Sequence, residues 1–392
     1  MRKIAASYIY PVSSPPIKYG IIYLDNDNKV IGLKNNNGVL IEEEGCEYYS
    51  GVLVPGFVNA HTHLELSHLK GFVEPQRGML NFLDCMINKP KTNTELETQL
   101  AEQYDKLMFS QGISVVGDIC NTLTTLPIKE NSRIQYHSFI ETLGMNEDDV
   151  CKRYENSEDL SQMFSNGKQN NSICPHSPYT VHPLLMKKIA EKSKNELVSI
   201  HTFENQAIHE TITDHPSSFK HFFERKELLR QSYIQNKHPY LFSLEGFYNA
   251  KILLIHNTFA QKKDWEQALH VANKNKLKLF AVTCPRSNEF INSVIPDYSN
   301  WPTSIPVCLG TDSLASNADL SVFNEILFLL ERTRIPFSEL LRWATINGAE
   351  ALNVGKNFGT FEPGKKPGVN LISGFDYRNN KPAKSSTVSR LV

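Results

Sequence analysis

Short apolar runs and amphipathic stretches alternate along this chain from Gly56 onward. Eight runs have the length and composition of buried strands: FVNAHTH near 57, ISVVGDI near 113, IQYHSFIE near 134, NSICPHS near 171, LVSIHTF near 197, ILLIHNT near 252, LKLFAVT near 277 and IPVCLGTD near 305. Helical stretches lie between most of them, including ELETQLAEQYDKLMFSQG, HPLLMKKIAEKSK, KDWEQALHVANKNK and LSVFNEILFLLER. This alternation is what a (β/α)8 barrel needs, although an open doubly wound sheet has the same periodicity.

The two ends of the chain have a different pattern. Up to about Val54, short strand-like runs (SYIYPV, YGIIYLD, KVIGL) are separated by turn sequences at 25–28 and 35–38. The tail GTFEPGKKPGVNLISG has glycines and prolines followed by a strand-like run. We expect this tail to pair with the N-terminal strands, so that residues 1–54 and 357–392 form one β-unit beside a barrel over 55–356.

Length, charge and cysteine content narrow the class of protein. The 392 residues suffice for one barrel and a small accessory unit, and they can bury a core without a structural metal. The net charge of −1 favours neither nucleic acid nor an anionic membrane as a partner. The seven scattered cysteines contain no C-x-x-C pair, and no apolar run approaches the ~20 residues of a membrane span. These features predict a reduced, cytoplasmic protein.

His61-Thr62-His63 is the strongest local motif, because it lies at the end of the first predicted barrel strand. Residues i and i+2 of a strand point to the same side, so the two imidazoles can converge on one metal ion. The alternative is a pair of surface histidines that follow a strand.

Further polar residues follow other predicted strands: His176 the fourth, His201 the fifth, His256 the sixth and Asp312 the eighth. Active sites of (β/α)8 barrels are built at this rim. Imidazoles, a carboxylate and a water suit one divalent ion, with Zn²⁺ the first choice for hydrolysis and Fe²⁺ the alternative. Such an ion lowers the pKa of its water from ~16 towards ~7. Asp312 could both bind the ion and accept the first proton.

Candidate groups also lie after the fifth and seventh predicted strands. Glu204 lies three residues after His201, where it could shuttle protons to a substrate ring; the alternative is a glutamate favoured by a helix N-terminus. Cys284 and Arg286 end the seventh strand and are expected to line the pocket. No activating base is spaced for Cys284, so we interpret it as a small packed residue.

The blocks that contain these residues resemble the amidohydrolase superfamily. They are PGFVNAHTHLELSHLKG, CPHSPYTVHPLL, VSIHTFEN, LLIHNT, TCPRSN, LGTDSLASNADLSVFNEI and ATINGAEALN followed by GTFEPGKKPGVNLI, from about 50 to 372. The resemblance is specific to the mononuclear branch, which holds cytosine, guanine, methylthioadenosine/adenosylhomocysteine and aminodeoxyfutalosine deaminases and triazine chlorohydrolases. It implies a distorted (β/α)8 barrel plus a small β-sandwich built from both termini, in a homodimer.

The resemblance also assigns roles, residue by residue. It implies metal ligands His61, His63, His201 and Asp312, and Glu204 as the proton shuttle. It implies that His256 polarises the water or the tetrahedral intermediate without binding the metal, and that His176 contacts substrate. One departure is Lys366-Pro367-Gly368-Val369, where relatives usually have Ala-Asp; it lies in the tail and puts no chemistry in doubt.

Glu65 follows the H-x-H motif in HTHLE-S, which looks similar to aminodeoxyfutalosine deaminases. Glu65 is therefore a candidate substrate contact, to a ribose or a ring edge, with a salt bridge on the rim as the alternative. Arg286 is a second candidate for a substrate contact.

Three functions compete. The first is hydrolytic deamination of an amino-substituted purine or pyrimidine, or its nucleoside, with release of ammonia. The second is chlorohydrolase or cyclic-amidase chemistry on the same scaffold; binuclear amidases need a carboxylated lysine on strand four, which has none here. The third, a non-catalytic scaffold, is disfavoured because every ligand is retained. The small zinc deaminases of nucleic acids need P-C-x-x-C, which is absent.

Overall fold

The fold is given by a computed structural model, which describes residues 1–90, 92–205, 218–229 and 238–392. The strands in these ranges are β1 Arg2–Ile9, β2 Ile17–Lys18, β3 Ile21–Leu24, β4 Val30–Lys34, β5 Cys46–Pro55, β6 Phe57–Thr62, β7 Ile113–Cys120, β8 Gln135–Thr142, β9 Asn170–Pro175, β10 Leu197–Thr202, β11 Lys251–His256, β12 Lys278–Thr283, β13 Val307–Leu309, β14 Val369–Asp376 and β15 Lys381–Arg390. They form three sheets.

All eight apolar runs predicted as barrel strands are strands, β6 to β13, in a mixed α/β fold. They lie in two four-stranded parallel sheets, ordered β6-β7-β8-β9 and β10-β11-β12-β13. Every residue of β7 and of β10 is buried. Parallel strands covered on both faces appear in sequence as continuous apolar runs, which is why these elements were predictable.

The two parallel sheets adjoin each other at both outer edges. A parallel bridge joins Thr62, at the end of β6, to Asp312, after β13. On the other side, the backbone N–H of His201 on β10 donates to the carbonyl of His176, after β9, at 2.8 Å. Both links lie at the carboxyl ends of the strands, the edge at which the sequence predicted the site.

Helices connect and cover the strands. They are α1 Met79–Ile87, α2 Thr94–Ser110, α3 Leu126–Asn131, α4 Val150–Asn166, α5 Pro183–Lys192, α6 Ser218–Arg225, α7 Pro239–Leu244, α8 Lys262–Asn275, α9 Pro285–Asn292, α10 Val322–Arg332, α11 Phe337–Trp343 and α12 Ile346–Ala351. The four predicted helical stretches correspond to α2, α5, α8 and α10. Their starts are fixed locally: the Asn93 side chain accepts from the Glu95 N–H at α2, and Gln261 and Asp264 form a capping box at α8.

Strands from both termini share one seven-stranded sheet, as the tail pattern predicted. Its order is β15-β14-β5-β1-β3-β4, with β2 paired to β1. In the antiparallel pair of β14 and β5, Leu371 lies opposite Leu53, and both belong to an apolar cluster that includes Ile4 and Ile22. The sequence did not predict β15, since KPAKSSTVSR is a polar edge strand with little apolar alternation. The sandwich arrangement and the domain boundaries stay predictions.

The seven cysteines are free thiols. Within the described ranges, none of the helices combines the length and the apolar composition required to cross a bilayer. The cytoplasmic location and the homodimer expected from the sequence stay predictions.

Candidate active site

The end of β6 is joined to the segment after β13 by a set of buried hydrogen bonds. The backbone N–H groups of Thr311 and Asp312 both donate to the carbonyl of His61, at 2.9 and 3.1 Å. The Asn59 amide donates to Thr311 Oγ1 at 2.8 Å, and Thr62 Oγ1 donates to the Asp312 carbonyl at 2.9 Å. These bonds hold the H-x-H motif and Asp312 together although 249 residues separate Thr62 from Thr311.

Four imidazoles and one carboxylate converge at this edge. The ring centroid of His61 lies 5.0 Å from that of His63, 4.9 Å from His201 and 5.8 Å from His256. Asp312 Oδ1 lies 3.5 Å from His63 Nε2 and 3.7 Å from His61 Nε2. Ligand atoms of His61, His63 and His201 lie within 4.8 Å of one another, as do those of His61, His256 and Asp312. The site can therefore surround a metal ion.

Burial sets the protonation states of these groups. Desolvation lowers the pKa of His61, of His63 to about 3, and of His201 well below its usual value. Desolvation alone would raise the pKa of Asp312, but the neighbouring imidazoles hold it well below the usual value. His61, His63 and His201 are thus neutral and the Asp312 carboxylate is ionised, which are the forms that bind metals.

Two serines anchor Asp312 from the side away from the imidazoles. The hydroxyls of Ser287 and Ser316 lie 2.6 and 2.8 Å from Asp312 Oδ2. Because Oδ2 is engaged in this way, Oδ1 is the oxygen that faces His61 and His63. Both serines lie in quoted blocks (TCPRSN and GTDSLASN), but nothing in the sequence alone connects them with Asp312.

Glu204 and His256 lie next to each other beside the imidazole cluster. Glu204 Oε2 is 3.8 Å from His256 Nε2. The His256 Nδ1 donates to Asn288 Oδ1 at 2.9 Å, which leaves Nε2 facing Glu204. The other Glu204 oxygen, Oε1, accepts from the Tyr179 hydroxyl. Sequence reasoning missed Asn288 and Tyr179.

His176 lies on the far side of His201. Its carbonyl accepts from His201 Nδ1 at 3.0 Å, and the two ring centroids are 4.7 Å apart. Its own Nδ1 is 2.6 Å from Thr180 Oγ1. The His176 backbone carbonyl is therefore in place to orient the His201 ring, independently of any contact made by the His176 side chain.

Glu141, at the end of β8, was also missed by sequence reasoning. Its Oε1 is buried, has no hydrogen-bond partner and lies 3.5 Å from His201 Nδ1.

Glu65 and Arg286 are occupied by protein partners. The Glu65 carboxylate accepts from the backbone N–H groups of Asn121 and Thr122 and from the Thr122 hydroxyl at 2.9 Å. Burial raises the pKa of Glu65 to about 7, against the effect of these hydrogen bonds. Arg286 pairs with Asp319 at 2.7 Å. A substrate contact by Glu65 or Arg286 stays a prediction.

Cys284 is fully buried, and burial raises the pKa of its thiol well above the usual value. A Cβ added at Gly310 would lie 2.9 Å from Cys284 Sγ. This close packing is consistent with the expectation of a small packed residue.

The family model for the amidohydrolase family matches residues 52–389. Adenosine deaminase of Helicobacter pylori is 24% identical over 93% of this chain and 88% of its own. Aminodeoxyfutalosine deaminase of Nitratiruptor sp. is 27% identical over 82% of this chain and 79% of its own.

A similar solved structure is that of Helicobacter pylori aminofutalosine deaminase in complex with methylthio-coformycin, with a TM-score of 0.81 at 22% identity over 98% of this chain and 94% of that one. At this identity the structural match supports the fold. The family match spans most of the chain. The chain therefore belongs to the amidohydrolase family and is a hydrolase that acts on carbon–nitrogen bonds.

Proposed function

We propose that this protein is a hydrolytic deaminase that uses one divalent metal ion, with His61, His63, His201 and Asp312 as ligands. Its substrate is an amino-substituted purine or pyrimidine, or a nucleoside such as an adenosine derivative or aminodeoxyfutalosine. The relatives with matching chains are deaminases of such compounds. The observation that carries the proposal is the convergence of these ligands beside the Glu204–His256 pair.

The side chains fit a metal ion. His61 is 0% exposed, and neither of its ring nitrogens has a hydrogen-bond partner. A buried imidazole without partners is costly, and a bound cation would satisfy it. Nitrogen ligands with a single carboxylate favour Zn²⁺, and Fe²⁺ suits the same set. When bound, the ion supplies the Lewis acidity that makes water nucleophilic at neutral pH.

Glu204 moves protons between water and the substrate. Its carboxylate lies three residues after His201 and is 7% exposed, so a proton on it is shielded from bulk solvent. It takes a proton from the attacking water and gives it to a ring nitrogen next to the carbon that bears the amine. This transfer makes the ring carbon more electrophilic, and ammonia then leaves.

His256 stabilises the tetrahedral species. Because its Nδ1 donates to Asn288, its Nε2 is the nitrogen available to the reacting atoms. Asp312 accepts the second proton of the attacking water and passes it to the amine, which needs this proton to leave as ammonia. His176 contacts the substrate from the segment after β9. Glu65 supplies a further polar contact near the loop after β7.

We also propose that the two parallel sheets close into a distorted (β/α)8 barrel over 55–356, with a β-sandwich from 1–54 and 357–392. The Thr62–Asp312 bridge and the His201–His176 hydrogen bond support closure at the two edges.

The test is ammonia release across a panel of aminated purines, pyrimidines and nucleosides, including 5′-modified adenosines and aminodeoxyfutalosine. The metal-replete enzyme is expected to turn over at least one of them, and the metal-free enzyme none. His201→Ala should lose both metal and turnover, whereas Glu204→Gln should keep metal and lose turnover. Full activity in a metal-free preparation would contradict the proposal.

If no compound in the panel is turned over although one metal ion is bound per chain, the chlorohydrolase or amidase alternative is favoured. The metal content separates a mononuclear site from a binuclear one. Near the end of β9 the described residues include Cys174 and His176 but no lysine in the strand, which favours one metal.

A further inference from the structure

We infer that Tyr179 is a positioning residue that selects which oxygen of Glu204 carries the proton. The inference rests on the proposed role of Glu204 in deamination. Tyr179 belongs to the PHSPYT block after β9, and no role was expected for it. Its hydroxyl donates to Glu204 Oε1.

The contacts around Glu204 divide its two oxygens between different tasks. Oε1 accepts from Tyr179, while Oε2 is 3.8 Å from His256 Nε2. The backbone carbonyl of Glu204 accepts from the Asn292 amide at 2.9 Å. The carboxylate is therefore held at Oε1 and at its backbone, and Oε2 is left as the oxygen that faces the reacting groups.

Tyr179 is itself held rigidly. It is 2% exposed, and its ring lies 6.1 Å from that of Phe219 and 6.2 Å, in a stacked arrangement, from that of Phe223, both on α6. A buried tyrosine hydroxyl needs an acceptor for its proton, and Glu204 is that acceptor here. Burial and the Glu204 charge raise the pKa of Tyr179 well above its usual value, so the phenol remains a donor.

The consequence for catalysis is a fixed site for the proton. A phenol that donates to Oε1 has no second proton to give, and a proton on Oε1 would compete with that bond. The proton taken from water therefore resides on Oε2, on the side of His256 and the substrate. Without the phenol, the carboxylate could rotate and place its proton on either oxygen.

The decisive variant is Tyr179→Phe, which removes the hydroxyl and keeps the ring that packs on α6. We expect kcat to fall by about ten- to a hundredfold, the range for a hydrogen bond to a charged group. KM and metal content should stay within about twofold of the wild type, since the hydroxyl donates to Glu204, which is not among the proposed metal ligands. An unchanged kcat, or a loss confined to KM or metal content, would overturn the inference.

A matched control distinguishes positioning from packing. Phe222 lies in the same apolar cluster on α6, and its ring contacts Phe223. Phe222→Leu should lower the melting temperature while leaving kcat unchanged. If Phe222→Leu lowered kcat as much as Tyr179→Phe, general packing of α6 would explain both losses and the inference would fail.

A stability cycle keeps the inference testable if no substrate in the panel is turned over. Tyr179→Phe and Glu204→Leu each leave the other group buried without its partner, whereas the double variant leaves neither. The double variant should therefore lose less in melting temperature than the two single variants lose when their losses are added. Additive losses would show that the two groups do not interact. Absence of turnover in the wild type would instead refute the deaminase proposal alone.

Discussion

Lys129→Met tests the buried ion pair that supports the loop after the H-x-H motif. Lys129 Nζ on α3 lies 2.6 Å from Asp118 Oδ2 on β7, and both side chains are 0% exposed. The other Asp118 oxygen accepts from the backbone N–H of Leu64 at 2.8 Å, directly after His63. The substitution leaves the Asp118 charge buried without its cation. We expect the free energy of unfolding to fall by about 3–5 kcal/mol.

The surroundings of the ammonium group support a loss of this size. Besides Asp118, Nζ is 2.8 Å from Ser138 Oγ and 2.9 Å from Cys120 Sγ, and two aromatic rings lie near it at 5.2 Å. Met fills a similar volume and keeps the contacts with those rings, so most of the loss is electrostatic. Burial alone would lower the pKa of Lys129, but Asp118 raises it above the usual value, which indicates a charged pair.

The assay is urea unfolding followed by circular dichroism, with linear extrapolation of the free energy to water. The control is the double variant Asp118→Asn with Lys129→Met, which has no buried charge and keeps an acceptor for the Leu64 N–H. It should regain most of the lost stability. A loss below about 1 kcal/mol in the single variant, or a double variant as unstable as the single, would refute the reasoning.

Three further outcomes follow from the site and its surroundings. Asn288→Leu should lower kcat about tenfold at unchanged metal content, since the His256 Nδ1 loses its acceptor; steady-state kinetics with metal analysis checks this. Burial raises the pKa of Glu325 to about 7, so the folded protein holds this proton more tightly than the unfolded chain does. The resulting contribution of Glu325 to the free energy of unfolding is present below pH 4.5 and is lost as the pH rises through 7. The free energy of unfolding, measured from pH 4.5 to 8, should lose about 3 kcal/mol through Glu325 in the wild type, and Glu325→Gln should lack this loss. Parallel plots of the free energy against pH for the two proteins would contradict the prediction. Chelation should lower the melting temperature, and added Zn²⁺ should restore it in the wild type but not in His201→Ala.

The strands and the positions of the convergent histidines were predictable because the information for them is local. Burial on both faces turns each parallel strand into a continuous apolar run, and the period of two places His61 and His63 on one side. The carboxyl ends of parallel strands meet at one edge, so His201 and Asp312 could be placed beside them without knowledge of any contact.

The supporting residues were not predictable, since their partners are distant in sequence. Ser287 is 25 residues from Asp312, and the Glu65 carboxylate binds backbone groups more than 50 residues away. A serine or a glutamate in a loop has many possible partners, and only the tertiary arrangement selects one. The same holds for Tyr179 and Glu204, which different strands bring together.

The backbone conformation at the candidate site could not be predicted from the sequence either. Phe203, His256 and Asp312 have φ values of +47°, +69° and +59°, although none is a glycine. This left-handed region costs a residue with a Cβ about 1–2 kcal/mol, and such residues persist only where surrounding contacts hold them. At Asp312 those contacts are the N–H donated to the His61 carbonyl and the serine hydroxyls on Oδ2. The strain therefore lies where strand ends turn toward the convergent imidazoles, and the hydrogen bonds that offset it are the ones that orient the carboxylate.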